Sequence, residues 1–269
     1  MIYYNTLAVK QTAATITAAM GLEPPDMAAE PLEAVLSMVK REAKSAVAQR
    51  VLIYNPDAIA QWLYQRHTHR YGPVMEHTSL ALPLRSPFPP VTPVCFASMF
   101  SGAEPAVHGI DHYVKQLVTI DTLFDALPKQ GVRTALVARD DSSMALIFTG
   151  RPITYYNTEE SDESAIRRGL HLIEEGEHEV VVVYNMDYDD AIHDTEPESE
   201  RSIAALERHI NDFARLVEQV KRSWSAWDTL VVFAPDHGLH RTYDGGGDHF
   251  ADSSEDMNVL HFYGVIPAR

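Results

Sequence analysis

The side chains in this sequence that could do chemistry together are carboxylates and imidazoles at the ends of apolar runs. The run ending at Phe233 reads as a buried strand, and Ala234-Pro-Asp-His-Gly238 follows it. Asp236 and His237 stand side by side at the strand's carboxyl end. With Gly238 to turn the chain sharply behind them, both can reach one cation. The bland reading of the same pair is an acid capping a helix and a histidine bonding a loop. Two more runs end in a similar way. Arg50-Val-Leu-Ile-Tyr-Asn-Pro-Asp57 is a short strand with an acid at its end. Val180-Val-Val-Val-Tyr184, the most strand-like run in the chain, leads to Asp189 and His193. A glycine-rich loop, Asp244-Gly-Gly-Gly-Asp-His249, adds His249.

In an open parallel sheet the carboxyl ends of the strands gather along one edge, and sites form there. Distant segments would then converge on a cluster of oxygen and nitrogen donors. Such donors without thiolate suit zinc or manganese. They are too many for one tetrahedral ion and suit two divalent cations.

The elements that must position these residues alternate along the chain. Residues 7–20 and 31–48 read as helices, 50–57 as a strand and 58–65 as the helix after it. Residues 78–84 read as an edge strand because of Pro83. Pro93 fits the first turn of a helix and Gly102 its end, which sets Thr92 at the N-cap. There Thr92 is either a plain cap or a hydroxyl aimed into a site at the helix's positive end. Next come a helix over 117–130, strands at 132–138 and 144–148, and an amphipathic helix over 159–176. The rest reads as the 180–184 strand, a long helix over 197–223, the strand before Asp236 and a last strand at 257–264. Strand-acid-helix units of this kind build an α/β/α sandwich with a mostly parallel central sheet.

Composition bounds the partners. The chain has 269 residues, 45% hydrophobic and 22% charged, which is enough apolar material for a sizeable core. Its 22 Lys+Arg against 38 Asp+Glu give a formal charge of −16, a surface that repels nucleic acid and anionic lipid. One cysteine, Cys95, excludes an intramolecular disulfide and a thiolate-rich zinc site. Met1-Ile-Tyr-Tyr-Asn5 lacks a basic region followed by a long apolar one, so no secretory signal is expected and the cytoplasm is the default. No apolar run approaches the ~20 residues of a spanning helix.

Taken in order and spacing, these segments resemble the alkaline phosphatase superfamily, in particular its type I phosphodiesterase and nucleotide pyrophosphatase branch. The resemblance covers roughly residues 50 to 266. It rests on the strand ending in Asp57, the stretch 91–110 with Thr92 ten residues before Gly102, Asp189-Asp-Ala-Ile-His193, Pro235-Asp-His-Gly238 and His249. It implies an alkaline-phosphatase-like core and hydrolysis of a phosphate ester on a small molecule. One metal ion would be held by Asp189, His193 and His249, and the other by Asp57, Asp236 and His237. Thr92 would be the nucleophile, and a phospho-threonine intermediate would form and be hydrolysed. His240 stands near the same corner and competes with His249 as a ligand. Phosphomonoesterase and phosphonate hydrolase activities share this core.

The sequence also departs from that pattern. Pro93 follows Thr92 directly, where relatives carry proline one place later. Val94 and Cys95 stand where several members have an asparagine that helps hold phosphate, and Phe250 follows His249 where many have glycine. These departures motivate a reading from another class, a non-catalytic metal-binding or ligand-sensing protein. Cys95 lies three residues too late to be a sulfatase nucleophile. Residues 7–20 resemble a helix that relatives carry near their C-terminus. That implies one domain over 1–269, with 1–49 as a permuted element and the 7–20 helix packed beside the 257–264 strand.

Overall fold

A computed structural model describes residues 3–269, so Met1 and Ile2 of the opening stretch lie outside the described residues. Among the described residues there are ten strands: β1 (Leu7–Ala8), β2 (Arg50–Pro56), β3 (Leu80–Arg85), β4 (Thr134–Arg139), β5 (Thr154–Glu159), β6 (Val180–Asn185), β7 (Thr229–Phe233), β8 (His240–Arg241), β9 (Gly247–Asp248) and β10 (Asn258–Ile266). Eight of them form one sheet in the order β1-β3-β10-β7-β2-β6-β4-β5, while β8 and β9 make a small hairpin. Within that sheet, among the described residues, only β10 runs against the others, antiparallel to both β3 and β7.

The central strands are buried along their whole length, as parallel strands covered on both faces must be. Alternation then sends neighbouring side chains to opposite faces. Val51 and Ile53 of β2 enter one apolar layer, and Leu52 and Tyr54 enter the other. The first layer is closed by α1 (Thr12–Ala19), α2 (Glu33–Glu42), α5 (Thr92–Ser101), α7 (Leu123–Lys129) and α8 (Ser143–Ile147). The second is closed chiefly by α3 (Gln61–His67), α4 (Gly72–Met75), α9 (Asp162–Glu175), α10 (Asp187–Asp194) and α11 (Glu200–Ser223). Two further short helices are α6 (Pro105–His108) and α12 (Ser254–Met257). The result is the expected three-layer α/β/α fold with a mostly parallel sheet.

Several elements differ from their sequence reading. Residues 144–147 lie in a helix with Phe148 as its C-cap, not in a strand: Ser142 caps α8 by accepting the Ala145 N–H at 3.2 Å. The 117–130 helix is shorter, because Thr122 and Asp125 form a capping box that starts α7 only at Leu123. Residues 154–159 form a strand that the sequence reading does not contain. The stretch 7–20 opens with strand β1 and reaches α-helix only at Thr12. β3 is not at the edge, since β1 pairs with its last two residues, Leu84 and Arg85. Pro83 lies before the part that β1 reaches, so its missing N–H costs no bond on that side. α2 lies against β10, and α1 packs on α2 and α5.

Candidate active site

The site lies at the carboxyl ends of the adjacent strands β7, β2 and β6. Asp57 follows β2 and Asp236 stands three residues beyond β7. The register is pinned there by Ala234 N–H to Tyr54 O and Asp57 N–H to Asn185 O, both 2.9 Å. Asp189 and His193 lie one turn apart on α10 rather than on an extended strand end, so both face the cluster. His249 comes from the loop after the β8–β9 hairpin. Gly238 is needed for space, not for a left-handed turn: a Cβ there would run into the Glu255 carbonyl and approach the Ala60 side chain.

Two groups of donors result, Asp189 with His193 and His249, and Asp57 with Asp236 and His237. Within each group the donor atoms lie within 4.8 Å of one another. The second group is fully buried, with His237 Nε2 at 3.3 Å from Asp57 Oδ1 and 3.4 Å from Asp236 Oδ2. The groups adjoin, since the His237 and His249 ring centroids are 4.2 Å apart. His240 belongs to neither group; its Nδ1 is bonded to Asp256 at 2.8 Å. Asp190 is taken by Arg139 at 2.6 Å, and Asp187 lies 3.4 Å from Arg208.

Hydrogen bonding fixes how the imidazoles are used. His237 Nδ1 faces the Gly238 carbonyl at 3.0 Å, and His249 Nδ1 faces the Pro90 carbonyl at 2.9 Å. A carbonyl only accepts, so both Nδ1 atoms carry the proton and both Nε2 lone pairs face the cluster. Burial holds His237 and His249 below the usual histidine range and so keeps them neutral. It raises Asp57, with the charges of Asp236 and Asp189 adding to the effect, and it also raises Asp236. Burial works the same way on Asp189, but the approach of His193 Nε2, 3.4 Å from its Oδ1, brings it below the ordinary value.

One oxygen of each carboxylate, Asp57 Oδ1, Asp189 Oδ1 and Asp236 Oδ2, is buried with no hydrogen-bond partner. A buried carboxylate oxygen without a donor is costly. Three such oxygens beside neutral imidazole lone pairs are the environment a divalent cation satisfies, so the donor set fits two ions without thiolate.

Thr92 opens α5, and Val91, not Thr92, is the N-cap residue. No side chain caps the helix, so its first backbone N–H groups and positive end lie beside the Thr92 hydroxyl. Thr92 Oγ1 is 3.5 Å from Asp57 Oδ2 and 3.4 Å from His237 Nε2. A cleft of about 110 Å³ opens over it, lined in part by Tyr113, Lys115, Arg139 and Tyr184. Sequence reasoning missed Tyr184, whose hydroxyl donates to Asp57 Oδ2. The one available signal was a polar-tipped residue at the end of an all-valine run.

A family model described as type I phosphodiesterase / nucleotide pyrophosphatase matches residues 54–261. No curated protein matches the sequence. Among solved structures, inactive murine ectonucleotide pyrophosphatase / phosphodiesterase 5 in complex with AMP is similar at 16% identity and TM-score 0.56, covering 73% of this chain and 59% of that one. Phosphonoacetate hydrolase from Sinorhizobium meliloti 1021 in complex with phosphonoformate is similar at 16% identity and TM-score 0.54, covering 75% and 60%. BT1596, a 2-O GAG sulfatase, is similar at 14% identity and TM-score 0.57, covering 81% and 64%. At these identities the likeness is one of fold, and the chain spans less than two thirds of the length of each.

Proposed function

The chain belongs to the type I phosphodiesterase/nucleotide pyrophosphatase family, and on that premise we propose that it is a metal-dependent hydrolase of phosphoester bonds, with Thr92 as nucleophile. The observation that carries this reading is the set of three buried, unpartnered carboxylate oxygens beside the Thr92 hydroxyl. Asp189, His193 and His249 would hold one divalent ion, and Asp57, Asp236 and His237 the other. Zinc and manganese both suit these donors. Such ions, when bound, lower the pKa of a hydroxyl and offset charge on the phosphoryl oxygens.

The chain's own residues do the rest. Asp57 Oδ2 lies close enough to the Thr92 hydroxyl to orient it and receive its proton. The Thr92 Oγ–phosphorus bond forms as the phosphorus–leaving-group bond breaks, and the leaving oxygen takes up a proton. Water then cleaves the phospho-threonine and restores the hydroxyl. The uncapped first turn of α5 offers N–H donors to the phosphoryl oxygens. The reading treats the whole chain as one hydrolase domain, with 1–49 as a permuted element. Support for that comes from the apolar layer shared by Ala13, Ile16, Val259 and Tyr263.

A diester or pyrophosphate bond is the first choice of substrate, on family grounds. The small cleft and the likeness to phosphonoacetate hydrolase support a phosphonate or monoester as the second. Among the described residues no helix is long and apolar enough to cross a membrane.

Thr92→Ala should retain both metal ions by elemental analysis and lose turnover of bis-p-nitrophenyl phosphate and p-nitrophenyl phosphate by at least about a thousandfold. Unchanged turnover removes Thr92 from the mechanism. Two bound ions with no activity on a broad phosphoester and phosphonate panel would favour the sensor reading instead.

A further inference from the structure

Asp256 lies outside both donor groups and is fully buried, yet it touches the backbone behind each. Its Oδ2 accepts the Ala251 N–H at 2.8 Å, two residues past His249. Its two oxygens receive His240 Nδ1 at 2.8 and 2.9 Å, and His240 is paired with Asp248 across the hairpin that precedes His249. Its carbonyl accepts the Gly238 N–H at 2.6 Å, directly after His237. Its own N–H donates to Ser253 Oγ at 3.2 Å.

The segment it holds is strained. Phe250, between His249 and Ala251, has φ of 117°, where only glycine is at ease. A side-chain-bearing residue there costs about 1–3 kcal/mol and persists only where its surroundings over-determine it. The Phe250 ring is half exposed and stacks on His249 at 4.8 Å and 8°, so a core pocket does not supply the restraint. The restraints lie on either side: His249 N–H to Asp248 Oδ1 at 2.8 Å, His249 Nδ1–H to Pro90 O at 2.9 Å, and the Asp256 bond to Ala251.

We infer that Asp256 is a positioning residue: its carboxylate clamps the His249–Ala251 turn against the Asp236–Gly238 corner and thereby sets His249 Nε2 facing Asp189. The inference rests on the two-ion reading above. It predicts an asymmetry. The tie to Gly238 runs through the main-chain carbonyl and survives a change of side chain. The ties to Ala251 and His240 run through the carboxylate and do not. Loss of the carboxylate therefore loosens the Asp189/His193/His249 group and spares the other.

Calorimetric titration of the metal-free protein with Mn²⁺ tests this, with His249→Ala used to identify which binding step belongs to the His249 group. Asp256→Ala should weaken that step by about 10–100-fold and leave the other within about threefold. Asp256→Leu, which fills the space without an acceptor, should do the same and serves if the alanine variant does not fold. Asp256→Asn keeps an oxygen for Ala251 and should stay within about threefold at both steps. Adding Phe250→Gly to Asp256→Ala should recover most of the loss, because glycine holds the same backbone without strain. Wild-type affinity at both steps in Asp256→Ala, or equal weakening of both, overturns the clamp while leaving the two-ion reading standing. Wild-type protein that takes up neither ion overturns both.

Discussion

A buried histidine that spends both ring nitrogens on fixed partners has no place for a second proton. His209 Nε2 accepts the Tyr188 N–H at 3.2 Å, so its Nδ1–H is left for the Tyr54 hydroxyl at 2.7 Å. His261 donates Nε2–H to Pro235 O at 2.8 Å, and His108 Nδ1 accepts the Ile110 N–H at 3.2 Å. Burial lowers all three from the ordinary 6.5 to about 4. Between these values the unfolded chain binds protons that the folded chain refuses, so stability is lost as pH falls from 6.5 toward 4. The expected loss is about 3 kcal/mol each for His209 and His261. Urea unfolding of the wild type and of His209→Gln at pH 7 and pH 4 measures it, and an unchanged difference between the two pH values in the variant would refute the assignment. At this scale the sequence displayed the donor types, because carboxylates and imidazoles at the ends of apolar runs are visible by spacing. It left His240 against His249 open, since that choice depends on which ring meets the Asp256 carboxylate. Asp256 itself gave no signal: its partners are main-chain groups and a histidine brought close only by folding.

Gly102 shows how much an element's end can matter. It closes α5 in the left-handed region at φ 78°, and a Cβ there would lie 2.5 Å from the Ala28 main chain. Gly102→Ala should destabilise the protein by roughly 2–4 kcal/mol, from the left-handed penalty plus displacement of the Ala28 segment. Thermal or urea unfolding would read it, and a loss below about 0.5 kcal/mol would count against this packing argument. Gly102 was legible as a helix stop, because a glycine past a proline-started helix is a local signal. The identity of 144–148 was not. A short apolar run fits a buried strand or a buried helix equally, and only the Ser142 cap tips it. The place of β3 in the sheet was hidden for a different reason. Its neighbour β1 is two residues long, too short to carry any periodicity.

For the molecule as a whole, electrostatics and connectivity set the terms. A chain of formal charge −16 that also packs Asp57, Asp189 and Asp236 around one centre gains from any cation that binds only the folded state. At free Mn²⁺ near 100 times Kd, one filled site adds about 2.7 kcal/mol. The midpoint of thermal unfolding should therefore rise by roughly 5–10 °C on addition of Mn²⁺ and fall back with EDTA. Thr92→Ala should show the same rise, and a midpoint indifferent to both additions would argue against metal uptake by the native state. The strand order carries one more consequence. β1 and β3 join the rest of the sheet only through β10, which is made long after them. As the polypeptide leaves the ribosome, these early strands have nothing to dock on until the far segment arrives. Until β10 is made this edge of the sheet cannot close, so its assembly falls among the last steps of folding during synthesis.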